Sequence, residues 1–352
     1  MKIAIMSTYH QQCGFSEYTE QMRFSFERNG HQIQILGNYP YEKLMDEDDD
    51  KVFRCFHMEI HDHKNDWDIE GIIQRIKEFD ILLIQYESCL YPSSTFNQAL
   101  EQIKQRTKCQ VVMIFHCSGI WPSFPWNLID FAIAHEGGIL PSIPIKSKLV
   151  VSHGLVDYPD QDSKKLKAQF GLQQDTFTVG SFGMGRVRYE TTIPAVVRAG
   201  FQYLISSTER ENSRINEILG KLTPEERSAV FYYLNYAPTE ELIRRIQACD
   251  CILIDYPPIS VAVCSGTARI AIGAHRPIIV SQTNWFNDLW KFGFVGSIPA
   301  DTSVENMIKW LGMAPQFVSD LMRNSIQETY IKEHSIDNMT ENKFIPIFKA
   351  VI

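Results

Sequence analysis

The sequence predicts a parallel α/β protein built in two halves, and three observations carry that reading. Short β-branched apolar runs recur along the chain, as in strands covered on both faces. Longer amphipathic stretches separate many of them, which is the alternation of a parallel sheet with crossover helices. A polar stretch, "DYPDQDSKKLKAQFGLQQD", parts two α/β regions of similar size. At 352 residues the chain is long enough for two ordinary domains.

In chain order, strands are expected over 3–6, 32–36, 81–85, 111–115, 131–134 and 149–151 in the first half. The second half offers 177–181, 203–206, 229–233, 251–254 and 278–281. Runs such as "ILLIQ", "VVMIF" and "CILI" are apolar without alternation, so both faces are buried. Pro257 and Pro258 stop the strand at 251–254. Helical patterns lie at 17–29, 69–78, 95–106, 191–198, 239–248 and 267–273. Ser16 is placed to cap the first helix, Glu17 suits its positive end, and Gly30 ends it. One short amphipathic helix falls in the polar stretch. The division expected is 1–157, a linker at 158–175, a second domain at 176–335, and a helix over 336–352 able to pack back on the first domain.

The formal charge of −8 disfavours general affinity for a nucleic acid backbone. No apolar stretch reaches the length of a membrane span, and the opening "MKIAIMSTYH" is too short in its apolar run for a signal peptide. The eight cysteines are scattered with no CxxC pair, which reads as buried reduced thiols. A cytoplasmic protein, in solution or peripheral to a membrane, is expected.

Two glycine turns can hold phosphate. In "STYHQQCGFSEYTEQM", Gly14 lets backbone approach a ligand where a helix begins, or simply makes a tight first βα turn. In "FTVGSFGMGRVRYETT", a strand runs into Gly180, Gly183 and Gly185, then Arg186 and Arg188. The spacing is GxxGxG, not GxGxxG, and no acidic residue ends the next strand, so a nicotinamide-dependent oxidoreductase is disfavoured. Two guanidinium forks after a glycine turn fit a diphosphate. A flexible loop with solvated arginines is the alternative. A third stretch, "SGTARIAIGAHRPIIVS", opens with Ser265, Gly266 and Thr267 at a helix start and places Arg269 about one turn in. A cation there opposes the helix dipole. Either a bound anion relieves the conflict or a structural ion pair does, with Asp255 or Asp250 as partner.

These stretches resemble the nucleotide-sugar domain of GT-B glycosyltransferases, the GT4-like group in particular. "VGSFGMGRVRY" is similar to that family's glycine-rich basic turn. "PTEELIRRIQACDCILIDYPP" is similar to its helix–Asp–strand element, and "SGTARIAIGAHRPIIVSQTNWFNDL" to its donor helix and Arg-Pro strand. In the first half, "QQCGFSEYTEQMRFSFERNGHQIQIL" and "VVSHGLVDY" resemble the opening glycine loop and the "HG" element. The resemblance implies two Rossmann-like domains facing across a cleft, and a glycosyltransferase that takes a sugar from a nucleotide-sugar donor. It implies retained configuration, with no metal ion and no cofactor. Arg186, Arg188, Arg269 and His116 become catalytic candidates. Gly14, Phe15, Gly183, Gly185, Ser265, Gly266 and Thr267 become donor-binding candidates. The acceptor stays open among a glycan, a lipid-linked saccharide, a small molecule and a modified nucleobase, and so does the oligomeric state. Many family members carry a pair of glutamates near the donor helix. Here those positions hold Ala262 or Val263 and Arg269 or Ile270. A non-catalytic subunit of the same fold, and a nucleotide-sugar 2-epimerase, are the alternatives.

Other constellations carry less. In "HMEIHDH", His57, Glu59, His61 and His63 alternate and could share one face toward a metal, though an exposed polar segment is the simpler reading. His153 either touches ligand or simply ends a strand in a turn, the simpler reading, and Glu136 is either an acceptor-side carboxylate or, more simply, a loop residue. Trp121, Phe124 and Trp126 in "GIWPSFPW" fit either sugar stacking or interior packing.

Overall fold

A computed structural model describes every residue except 42, 59–65, 88–89, 92, 121–122, 184–186, 291 and 323–324. The chain divides into two compact units. The first holds 1–154, 261–264 and 334–352; the second holds 155–260 and 265–333.

The first unit is built on a seven-stranded sheet. Its strands are β1 (Lys2–Ser7), β2 (Gln32–Asn38), β3 (Val52–Phe56), β4 (Ile81–Tyr86), β5 (Gln110–Phe115), β6 (Phe131–Ala134) and β7 (Lys148–Val150). Their order is β3-β2-β1-β4-β5-β6-β7, and all pair in parallel. The central strands are buried on both faces, from Ile3–Met6 in β1 through Val111–Phe115 in β5. That is why they read as unbroken apolar runs. Phe124 and Trp126 pack with Phe115 in an aromatic cluster, so these two rings serve the interior. Trp121 lies outside the described residues.

The first helix, Gly14–Arg28, starts earlier than its sequence implies. Cys13 occupies the cap position without a side-chain bond. Ser16 lies inside the helix, where its Oγ instead accepts from the Gln11 N–H (2.9 Å). The helix ends at Gly30, whose φ of +77° explains the glycine. Against this helix packs the C-terminal segment: Ser25 Oγ donates to Asp337 Oδ1 (2.6 Å), and Phe26 meets Phe344 and Phe348.

The second unit repeats the plan with six strands: β8 (Thr178–Phe182), β9 (Gln202–Ser207), β10 (Val230–Leu234), β11 (Cys251–Ile254), β12 (Ile278–Ser281) and β13 (Val295–Ile298). Their order is β10-β9-β8-β11-β12-β13, again all parallel. The polar stretch read as a linker forms the helix Ser163–Gln169, capped by Asp162, and its Leu166, with Phe170 and Leu172, is buried in this unit's core. Gly273 ends the helix Gly266–Gly273 against backbone: a Cβ there would lie 2.0 Å from the Val156 carbonyl oxygen. In each sheet the strand order reverses beside the first strand, between β1 and β4 and between β8 and β11. Ligands of doubly wound sheets collect at the carboxyl ends of such strand pairs.

Candidate functional site

In the second unit, four sequence-expected residues gather where β8 and β11 end. Gly183 follows β8 with a φ of +129°, which only glycine adopts without strain. A Cβ at Gly183 would meet Tyr256 Oη at 3.2 Å and Thr267 Oγ1 at 3.6 Å. Those two hydroxyls are hydrogen-bonded to each other at 3.2 Å. Thr267 and Gly266 open the helix Gly266–Gly273, and Ser265 caps it by accepting from the Ala268 N–H. Gly183, Ser265, Gly266 and Thr267 thus form one small-residue rim at a helix N-terminus. Gly185 and Arg186 lie outside the described residues.

Arg188 stands at the N-cap of the helix Tyr189–Arg198. Its N–H donates to the Asp255 carbonyl (3.0 Å), and its guanidinium reaches the Asp255 carboxylate at 2.7 Å and Asp301 at 3.1 Å. Asp255 is fully buried, whereas the Asp301 side chain is 68% exposed. Burial raises the Asp255 carboxyl above its ordinary value, and the neighbouring Arg188 pulls it back down in part.

Arg269 requires a correction. The expectation that a bound anion supplies its opposing charge does not hold, because Asp288 does so from the loop after β12. Arg269 is only 1% exposed, and its guanidinium also donates to the Ser265 carbonyl (3.1 Å). Neither Asp255 nor Asp250 is its partner: Asp250 pairs with Lys167 (2.7 Å). Arg269 therefore holds the start of its helix, and Ser265 with it.

In the first unit, Gly14 opens the first helix with open space where a Cβ would stand. Phe15 meets the ring of His116 edge-on at 4.6 Å. His116 directly follows β5 and is buried, with Nε2 lacking a hydrogen-bond partner among the described residues. Burial, then the neighbouring His135 and His153, lowers its pKa well below the ordinary imidazole value, so it is neutral at physiological pH. His135 follows β6 and His153 follows β7, so three consecutive strand ends each present a histidine. Glu136 accepts from the Gly138 N–H (2.7 Å) and shapes its own loop. In the alternating segment, His57 contacts Asp66 (3.4 Å), and Glu59, His61 and His63 lie outside the described residues.

Two doubly wound parallel sheets make this a Rossmann-like α/β protein. No family model matches the chain, and no curated protein matches it in sequence. Solved structures do. A glycosyltransferase from Rickettsia africae superposes with a TM-score of 0.74 at 12% identity, over 99% of this chain and 98% of that one. Sucrose-phosphate synthase from Thermosynechococcus elongatus gives 0.73 at 12% identity over 99% of both chains. HepE of Anabaena, in complex with UDP and glucose, gives 0.66 at 13% identity over the whole of both. The fold is GT-B, and these structural neighbours are glycosyltransferases. Among the described residues no helix is long and apolar enough to cross a membrane.

Proposed function

We propose that the chain is a glycosyltransferase that takes a sugar from a nucleotide-sugar donor, retains its configuration and needs no metal ion at the donor diphosphate. The observation that carries this reading is the rim at the β8/β11 switch point, where Gly183, Tyr256 and Thr267 meet beside the start of a helix. A diphosphate set there would accept backbone N–H groups and face Arg188. Asp255, buried, orients the guanidinium, while the exposed Asp301 can yield its hydrogen bond to a phosphate oxygen. As the sugar leaves, negative charge grows on the diphosphate, and donors aimed at it stabilise the transition state. Arg186 and Gly185 keep the donor role that the resemblance implies, and Gly14, Phe15 and His116 the sugar-side role. Arg269 acts as a positioning residue through Ser265.

A nucleotide panel tests the proposal. One nucleoside diphosphate, or its sugar, is expected to raise the melting temperature, because a ligand that binds only the folded state stabilises it by mass action. Failure of every nucleoside diphosphate and nucleotide sugar to shift the melt at millimolar concentration would remove the donor site.

A further inference from the structure

The first unit carries a histidine cluster of which the transferase reading uses one member, His116, and leaves His135 and His153 without a role. His116, His135 and His153 are all buried. One ring nitrogen of each lies within 4.8 Å of the others. Their rings are in mutual contact, with centroids 4.7 Å apart for His116 and His135 and 4.8 Å for His135 and His153. Tyr18 covers them, 4.2 Å from the His153 ring. Three imidazoles at the ends of β5, β6 and β7 are an unusual way to finish an apolar sheet, since each buried ring nitrogen needs a partner.

The tautomers of two rings follow from their partners. His135 Nδ1 is 2.8 Å from the Val151 carbonyl oxygen, and His153 Nδ1 is 2.6 Å from that of Gly154. A carbonyl oxygen can only accept, so each Nδ1 carries the proton and donates it. The lone pair of each ring is then on Nε2. A histidine whose far nitrogen donates to a backbone carbonyl is the usual arrangement for a metal ligand, because that bond fixes the ring and raises its basicity. His116 supplies the third nitrogen, its buried Nε2.

We infer that His116, His135 and His153 form a binding site for a divalent transition-metal ion of the zinc or cobalt class. Three neutral imidazoles suit such an ion, and a tetrahedral centre leaves its fourth position for water or an anion. Metal–nitrogen bonds of about 2.05 Å set tetrahedral ligands about 3.3 Å apart, so the widest pair closes by up to about 1.5 Å through side-chain rotation. The inference needs only the three rings and stands whether or not the chain transfers sugar.

The test uses the full, tag-free protein, stripped with a chelator and titrated with Co²⁺ and Zn²⁺. One equivalent of Co²⁺ should bind with the visible absorption of a tetrahedral nitrogen-ligated ion, and Zn²⁺ should displace it. His135→Gln and His153→Gln should each weaken binding at least tenfold, with far-UV circular dichroism confirming that the variants are folded. Should one variant fail to fold, the other serves. Absence of saturable uptake up to about 100 µM metal would overturn the site, and so would uptake unchanged in the folded variants, which would locate the ion elsewhere.

Discussion

Asp288→Asn lowers the stability of the unliganded protein by about 3–5 kcal/mol. The substitution keeps the shape of the side chain and removes its charge. Arg269 is then a buried cation, 1% exposed, one turn inside a helix whose positive end it faces. The two carboxylates that the sequence suggests as partners are engaged elsewhere, Asp255 with Arg188 and Asp250 with Lys167. Arg269→Met is milder, since it leaves Asp288 with a side chain 15% exposed and able to turn toward water. Joining Arg269→Met with Asp288→Leu should recover most of the loss, as replacing both members of a buried pair by apolar groups often does. Denaturant melts of the wild type, Arg269→Met, Asp288→Leu and the double variant give the coupling energy directly. An Asp288→Asn loss below about 1 kcal/mol, or one restored by nucleotide alone, would return Arg269 to the role of a ligand-facing cation.

Arg188→Ala is expected to weaken nucleoside-diphosphate binding by about 1–3 kcal/mol, the worth of charge-assisted hydrogen bonds to phosphate. The change also reaches the fold, because Asp255 is left fully buried without its cation. The sign of the pH dependence follows from the raised Asp255 carboxyl. The folded state holds that proton more tightly than the unfolded state, so stability falls as pH rises from the ordinary carboxylate value through the raised folded one. Without Arg188 the folded value moves higher still, so the fall is larger and extends to higher pH. Calorimetric binding at fixed pH, together with melts across the acid range, separates the two effects. Unchanged affinity in Arg188→Ala would take Arg188 out of the diphosphate site, and an unchanged pH profile would contradict the role given to Asp255.

Much of the fold was legible because parallel strands buried on both faces announce themselves as apolar runs. The two strands missed, β3 and β13, both lie at sheet edges. "VFRCF" in β3 carries an arginine and follows an acidic run, and "VGSI" in β13 mixes Gly and Ser with its apolar residues. An edge strand buries less, so its pattern weakens. The rim at Gly183 and Thr267 was legible from small residues placed at a strand exit and a helix start. Asp288 was not, since no local pattern ties it to Arg269 and only the loop after β12 brings them together. Of the three histidines the sequence singles out His116 as a catalytic candidate and His153 as a turn residue, and gives His135 no role. The signal that joins them is positional: each closes an apolar run on neighbouring strands, and neighbourhood is a property of sheet order.

A chain that moves a sugar from a nucleotide donor releases a nucleotide as it does so. Purified protein is incubated with a panel of nucleotide sugars, without acceptor and then with glycan, lipid-linked saccharide, small-molecule and modified-nucleobase acceptors, and free nucleotide is measured. Slow release of nucleoside diphosphate is expected from one donor alone, faster release with one acceptor class, and a steep fall of both in Arg188→Ala. No release from any donor with all four acceptor classes present, or conversion of the sugar while it stays attached to its nucleotide, would contradict the transferase reading.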